Sequence, residues 1–139
     1  DAAAEYDIQF KYANGVTMYH GGANGILFTG TDGKIEVNRG YFKTWPDSIG
    51  REPLGPNEVH LYESPGHHQD WLNCIRNRQR PIADVAIGAS SITVCHLGNI
   101  AWWLGRRLQW DPEKQQIIGD ELASRWLDRP KRAPWRLYP

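Results

Sequence analysis

The sequence lacks an excess of charge, a set of cysteines and an apolar run of membrane-spanning length. Its sixteen basic and sixteen acidic residues cancel over 139 residues. Without a basic surplus there is no electrostatic footprint for nucleic acid or for an anionic membrane, so we expect neither as a partner. Two cysteines cannot make a disulfide framework, and we expect Cys74 and Cys95 to be buried free thiols. No apolar run reaches the roughly 20 residues that a membrane helix needs.

Several motifs of catalysis and cofactor binding are also missing. There is no G-x-G-x-x-G, so the chain has no dinucleotide fingerprint of its own, and there is no G-x-S-x-G nucleophile elbow. The glycine-rich loop 21–25 precedes a predicted strand and lacks the lysine of a P-loop, which argues against phosphate binding. His67, His68 and Asp70 match no strong zinc pattern, because adjacent helical residues point about 100° apart. A solvated helix start is the favoured interpretation of that cluster, and we assign no metal site.

One long uncharged stretch, residues 84–110, organises the rest of the chain. It contains no charged residue between positions 85 and 104, and it has two faces at helical spacing. We therefore predict a helix that is buried nearly all round. Asp84 is a suitable N-cap, and Gly105 is suited to the left-handed residue that follows a helix. The first face comprises Val94, Leu97, Ala101, Leu104 and Leu108, and the second comprises Ile92, His96, Asn99 and Trp103.

The remaining segments predict a single α+β domain over residues 1–139. Alternating residues and the Asn-Gly and Asp-Gly turns predict a four-stranded antiparallel meander over residues 6–38. An aromatic loop without periodicity covers residues 39–66, and a helix begins at residue 67. After the long helix we expect a hairpin over residues 106–118, a helix capped by Asp120, and an extended tail to residue 139.

Two polar residues on the second face of the long helix have two interpretations. His96 and Asn99 are either core residues that bond to neighbouring backbone, or a pair that faces substrate at the edge of a pocket. A buried polar group without a partner costs about 1–3 kcal/mol, so some partner is required if they are buried. The seven tryptophans of the chain add large aromatic surfaces that can stack on sugar rings or on another subunit.

Two stretches of the sequence resemble the C-terminal domain of the Gfo/Idh/MocA family of NAD(P)-dependent oxidoreductases. The resemblance is to the bacterial branch with an extended C-terminus. The first stretch is YANGV (residues 12–16) followed by GILFTGTDGKIEVNRG (residues 25–40). The second is residues 70–113, which contain CHLGNIA and LGRRLQWDPE, and it ends in DRPKRAPW (residues 128–135). The resemblance implies a two-part enzyme, in which a Rossmann domain precedes an α+β domain built on an open, mostly antiparallel sheet with helices packed on one face.

The same resemblance sets the expectations for cofactor, substrate and partners. NAD or NADP is implied for the full-length protein, but this chain is expected to bind no cofactor by itself. Members act on sugars, polyols and their derivatives, and their sheet often packs on another subunit. We therefore expect three partners for this chain: its own Rossmann domain, a small sugar or polyol, and a second copy held through the open sheet face.

The catalytic residues of the family have no counterpart in this sequence. The lysine of an E-K-P-type motif and the histidine of a D-x-x-x-H-type motif match no position, so we assign no catalytic residue and expect the chain to be inactive alone. Because the corresponding helix borders the cleft in relatives, His96 and Asn99 become candidate substrate-binding residues. Arg132 and Trp135 are lower-ranked candidates for the same role.

Two other functions stay open from the sequence. The chain could be a stand-alone carbohydrate-binding or protein-interaction module, or part of an NAD-dependent glycosidase, because some relatives cleave glycosides through a redox step. A G-x-G-x-x-G unit directly before Asp1 would favour the oxidoreductase. A cytoplasmic location is favoured, and export requires a signal upstream of Asp1.

Overall fold

The computed structural model describes residues 8–21 and 25–134. These residues form two compact units, one ending at Ser64 and the other beginning at Pro65. Each unit has its own antiparallel strands, and all three helices belong to the second. The α+β class with antiparallel sheets, predicted from the sequence, is confirmed.

The first unit begins with a hairpin of β1 (Ile8–Lys11) and β2 (Thr17–His20). The strands are antiparallel, with Ile8 opposite His20, and the predicted Asn-Gly turn joins them. The Asn14 side chain accepts a hydrogen bond from the Val16 N–H at 3.1 Å, and Gly15 takes a φ of 89°. The tight turn therefore forms where a residue with positive φ follows an asparagine. The predicted start of this strand, residues 6–7, lies outside the described residues.

A separate three-stranded antiparallel sheet follows, in the order β3 (Ile26–Thr29), β4 (Lys34–Asn38) and β5 (Tyr41–Trp45). The prediction of one four-stranded meander is wrong in two respects. Within the described residues, β1–β2 and β3–β5 are separate sheets. In addition, β5 lies inside the segment predicted as an aromatic loop, because Gly40, with a φ of 68°, turns the chain straight back onto β4.

The register of this second sheet divides its residues between two faces, since residues directly opposite in a sheet point the same way. One face is mixed, with Glu36 opposite both Leu27 and Lys43. The Tyr41 hydroxyl donates to Glu36 at 3.3 Å, and the Lys43 ammonium lies 4.7 Å from the Trp45 ring centroid. The other, which we name the apolar sheet face, consists of Ile26, Phe28, Ile35, Val37, Phe42 and Thr44.

The second unit begins with α1 (His67–Asn77), which ends at Arg78 in a left-handed conformation. Asp70 is only 2% exposed, and one of its carboxylate oxygens accepts the Ile82 N–H at 2.9 Å. The carboxylate thus fixes the loop that leads to the next helix. In the described part of the chain no group of histidine, cysteine and acidic side chains is arranged for a metal ion. Asp70 is therefore a structural residue rather than part of a solvated helix start.

The long helix α2 (Val85–Leu104) has both predicted ends. The Asp84 side chain accepts the Ala86 N–H at 2.9 Å, as an N-cap does. Gly105 adopts φ 61° and ψ 28°. Its N–H donates to the Trp102 carbonyl at 3.1 Å, and the Arg106 N–H donates to the Ala101 carbonyl at 3.3 Å. These two bonds are the Schellman pattern that satisfies the last carbonyls of a helix.

The prediction that α2 is buried nearly all round is wrong. Gly98 and Ile100 are its buried residues, and Leu97 and Leu104 of the first predicted face are half-buried. The second face is exposed along its length. The reason is that the neighbouring elements of this unit pack on the opposite side of the helix, around Leu97, Ile100 and Leu104, and only in its C-terminal half. Cys74 is buried as expected, but Cys95 on α2 is exposed, and neither cysteine forms a disulfide.

Length and composition bring α2 within the range of a membrane-spanning helix, contrary to the expectation from the sequence. It has 20 residues and a mean hydropathy of 1.3 over its most apolar window. Helices inside folded domains meet the same criterion, and the C-terminal half of α2 packs against other elements of its own unit.

The core of the second unit is built where α2 meets the predicted hairpin and the last helix. The hairpin pairs β6 (Trp110–Asp111) with β7 (Gln116–Ile117), and α3 (Glu121–Ser124) continues into a 3₁₀ helix, Arg125–Leu127. Ile100, Ile117 and Ala123 form the buried cluster. Partly buried hydrophobic side chains pack around it, namely Leu97, Leu104, Leu108 and Trp110.

Candidate functional site

The exposed face of α2 carries the two highest-ranked candidate residues, His96 and Asn99. Both side chains are exposed, and no side-chain hydrogen bond within residues 25–134 engages either of them. Of the two interpretations left open by the sequence, the one in which they are core residues satisfied by neighbouring backbone is therefore wrong. By contrast, the hydroxyls of Ser91 and Thr93 bond back to the helix, at 2.9 Å to the Ile87 carbonyl and 2.8 Å to the Ala89 carbonyl. Unlike Ser91 and Thr93, His96 and Asn99 thus keep their polar groups available to a ligand.

An aromatic pair lies at the C-terminal end of the same face. Trp103 contacts Trp126 of the 3₁₀ helix, with ring centroids 5.3 Å apart and ring planes tilted by 40°. Such an offset, tilted arrangement is a favourable one for aromatic pairs. The two indoles are 51% and 49% exposed, so the contact leaves about half of each ring to solvent. The face therefore combines polar and aromatic surface.

An ion pair between the end of α2 and the start of α3 holds this arrangement together. The Arg106 guanidinium donates two hydrogen bonds to the Asp120 carboxylate, at 2.8 and 2.9 Å. One Asp120 oxygen also accepts the Ala123 N–H at 2.9 Å, so this residue is the N-cap of α3, as predicted. The hydrogen bonds from Arg106 and then from Ala123 lower the pKa of Asp120 below its ordinary value, and the bond to Asp120 raises the pKa of Arg106.

Of the two lower-ranked candidates, Arg132 lies in the described part of the chain. Arg132 is exposed in the segment after the 3₁₀ helix, and no hydrogen bond or ion pair within the described chain joins it to His96 or Asn99. Its neighbour Lys131 pairs with Asp128. Trp135 lies outside the described residues. Among the predicted substrate-binding residues, His96 and Asn99 share the exposed face of α2.

Two shallow depressions in the second unit lie away from these residues. One, of about 550 Å³, is lined by Ile117, Asp120, Ser124 and their neighbours. The other, of about 470 Å³, lies between the end of α1 and the start of α2 and includes Trp71, Cys74 and Asp84. Neither is lined by His96 or Asn99, whose side chains lie on the exposed face of α2.

The described residues do not fit a nicotinamide dinucleotide. The cofactor's pyrophosphate binds where a strand passes through a glycine turn into the N-terminus of a helix. In the described chain, α1 follows irregular residues, and α2 follows the loop after α1. The third helix, α3, does follow a strand and Gly119, but it has four residues and its N-terminus is capped by the Asp120 carboxylate. The N-terminus of α2 is already occupied by the Asp84 carboxylate, which would repel a phosphate. We assign no step that uses the cofactor to the described residues.

In the described residues, small antiparallel sheets and three helices form an α+β structure, and one face of α2 presents polar and aromatic side chains. The family model for the oxidoreductase family, C-terminal alpha/beta domain, matches residues 1–137, and the chain belongs to this family. The resemblance found in the sequence is thereby confirmed. Neither a curated protein nor a solved structure matches the chain.

Sequence reasoning missed the two contacts that shape the site. The Arg106–Asp120 pair joins residues 14 positions apart, and Trp103 meets Trp126 across a hairpin. The sequence pattern singled out one residue of each contact, but not the contact itself. Asp120 stood out as a helix cap, and Trp103 stood out by its spacing on the second face of α2. Their pairing depends on the way in which the hairpin folds the last helix back, and no local pattern encodes this.

Proposed function

We propose that this chain is the substrate-binding and oligomerisation domain of an NAD(P)-dependent oxidoreductase that acts on a sugar or polyol. The observation that carries the proposal is the match of residues 1–137 to an oxidoreductase C-terminal domain. In this proposal a Rossmann domain holds NAD or NADP and supplies the groups that move the proton, while His96 and Asn99 contact the substrate.

The chemistry of the exposed face of α2 supports this substrate class. A neutral histidine offers one donor and one acceptor, and an asparagine amide offers two donors and one oxygen acceptor. Hydroxyl groups of a sugar or polyol both donate and accept, so they match these side chains. The helix has no charged residue between Val85 and Leu104, which favours a neutral substrate over an anion or a cation.

The test uses the polypeptide encoded by the intact reading frame, including whatever precedes Asp1. It is incubated with NAD⁺ or NADP⁺ and a panel of sugars and polyols, and formation of the reduced nicotinamide is followed by absorbance. His96→Ala and Asn99→Ala should each lower kcat/KM by about tenfold or more, which corresponds to about 1.4 kcal/mol. Gln69→Ala, an exposed polar residue on α1, is the matched control and should leave kcat/KM unchanged.

Two outcomes would contradict the proposal. If the intact polypeptide binds no nicotinamide cofactor and transfers no hydride, the chain is not part of an oxidoreductase that works in this way. If turnover occurs but both α2 variants match the wild type, these residues do not contact substrate. Saccharide binding without any cofactor binding would instead favour a stand-alone carbohydrate-binding module.

A further inference from the structure

We propose that Trp103 and Trp126 form a stacking site for the pyranose ring of a neutral saccharide, beside the hydrogen-bonding groups of His96 and Asn99. This inference rests on the proposed function and deepens it. It adds two residues from separate elements and narrows the substrate class from any sugar or polyol to a ring-form sugar.

The placement of the four residues supports a single surface. His96 and Asn99 are three positions apart, and Asn99 and Trp103 are four positions apart, which are the spacings of neighbours on a helix. All three side chains are exposed. Trp126 extends this surface beyond α2, because its ring contacts that of Trp103. A ligand that lies along the helix can therefore reach polar groups and an aromatic wall together.

The aromatic pair is held in place without being buried. The Asp120 carboxylate both caps α3 and binds Arg106 at the end of α2, so the 3₁₀ helix that carries Trp126 is tied to α2. Holding two indoles about half exposed leaves apolar surface in water, which is unfavourable unless something covers it. A ligand that finds these rings already positioned loses less conformational entropy on binding.

The charges and shape of the surface select the ligand. A pyranose ring has an apolar face of C–H groups and an edge of hydroxyls, which match an indole ring and an amide or imidazole respectively. The uncharged helix offers no counter-charge, and Arg106, three residues after Trp103, is already bound to Asp120. An acyclic polyol lacks a rigid apolar face, so it gains less from an indole than a ring does.

The experiment measures binding by saturation-transfer NMR on the full 139-residue chain. The probes are the methyl β-pyranosides of glucose, galactose and xylose, with sorbitol as the acyclic comparison. We expect ring protons of at least one pyranoside to receive saturation and sorbitol to receive little. Trp103→Ala and Trp126→Ala should each weaken pyranoside binding about tenfold or more, and Trp103→Phe should retain part of it. Trp71→Ala, which removes a 57% exposed indole on α1, should leave binding unchanged.

Several results would overturn the inference. They are no saturation transfer to any pyranoside, equal binding of sorbitol, or unchanged pyranoside binding by a folded Trp103→Ala variant. A lower mass for Trp103→Ala in light scattering, with pyranoside binding unchanged, would identify the pair as a protein contact.

The failures of the two proposals can be told apart. If Trp103→Ala is neutral while His96→Ala still lowers kcat/KM of the intact polypeptide, only the stacking site is wrong. If pyranoside binding depends on Trp103 but the intact polypeptide transfers no hydride, the oxidoreductase proposal is wrong.

Discussion

Gly105 shows how much a single residue decides at the end of a helix. Its φ of 61° lies in the left-handed region, where residues with a Cβ are disfavoured. A Cβ built at this position meets no atom within 4 Å outside its immediate neighbours. The requirement for glycine is therefore one of backbone conformation and not of space.

This distinction gives a prediction for two substitutions at the same position. Gly105→Val should lower the free energy of unfolding by about 1–3 kcal/mol, because a β-branched residue resists the left-handed conformation. Gly105→Asn should cost clearly less, because asparagine tolerates it. Chemical denaturation measures both. Equal stability of wild type and Gly105→Val would show that the helix does not end here in solution.

Asp120 has two functions that its chemistry allows to be separated. As an N-cap it needs only an oxygen that accepts the Ala123 N–H, and as the partner of Arg106 it needs a charge. Asparagine keeps the first and loses the second. The local pattern of the sequence identified the cap, whereas the ion pair became visible only in the folded chain.

The lowered pKa of Asp120 predicts a pH dependence with a definite sign. A carboxylate whose folded-state pKa lies below its unfolded value stabilises the fold above about pH 4, and this contribution is lost as the pH falls through the folded pKa. Wild type should thus melt at a higher temperature than Asp120→Asn near neutral pH, and the gap should close in acid. Thermal melts between neutral and acidic pH measure it. The pKa of Asp128 is also lowered, but Asp128 is present in both proteins, so its effect on the melting temperature is the same in each and does not change the gap. A gap that is constant with pH would mean that the Arg106 pair contributes nothing.

At the scale of elements, α2 was predicted best where its signals were local. Its length, its N-cap and its C-terminal glycine agree with the structure. Its surroundings were predicted wrongly, because an uncharged helix shows the apolar surface available for burial but not which neighbours cover it. The same limit applies to β5, whose sequence does not alternate strictly and which forms by pairing with β4.

The buried cluster around Ile100 provides a test of which side of α2 is packed in solution. Ile100 is 3% exposed and packs with Ile117 and Ala123, so Ile100→Ala should destabilise the second unit by about 2–5 kcal/mol. Ile92, on the same helix, is 50% exposed. Its replacement by alanine should cost less than about 1 kcal/mol. Denaturant titrations of the two variants measure the difference. Equal losses would mean that α2 is covered along its whole length in solution.

At the scale of the whole molecule, class and family could be predicted, whereas the site could be predicted only in part. Motifs such as CHLGNIA and LGRRLQWDPE identified the family that the match over residues 1–137 confirms. Of the four substrate-binding residues predicted, His96 and Asn99 share one exposed face because a fixed helical spacing relates them. Arg132 comes after a hairpin and a 3₁₀ helix, and its position depends on folding of the chain that spacing does not encode.

Self-association is the last prediction, and it belongs to the whole chain. On the apolar sheet face, Ile26, Phe28 and Phe42 are 58%, 57% and 61% exposed. A two-fold pairing would use this patch twice and bury on the order of 800 Å² per partner, which is a standard interface. With a net charge of zero, little repulsion opposes it. Light scattering at tens of micromolar protein should therefore give at least the mass of a dimer.

Two adjacent residues of β3 supply a matched pair of variants for this prediction. Phe28 and Leu27 are both 57% exposed but lie on opposite faces of the sheet. Phe28→Lys places a charge on the apolar sheet face and should give monomer. Leu27→Lys places the same charge opposite Glu36, where it has a partner, and should leave the dimer intact. If both variants stay dimeric, the copies meet through another surface. If the wild type is already monomeric, the apolar sheet face does not bind a second copy.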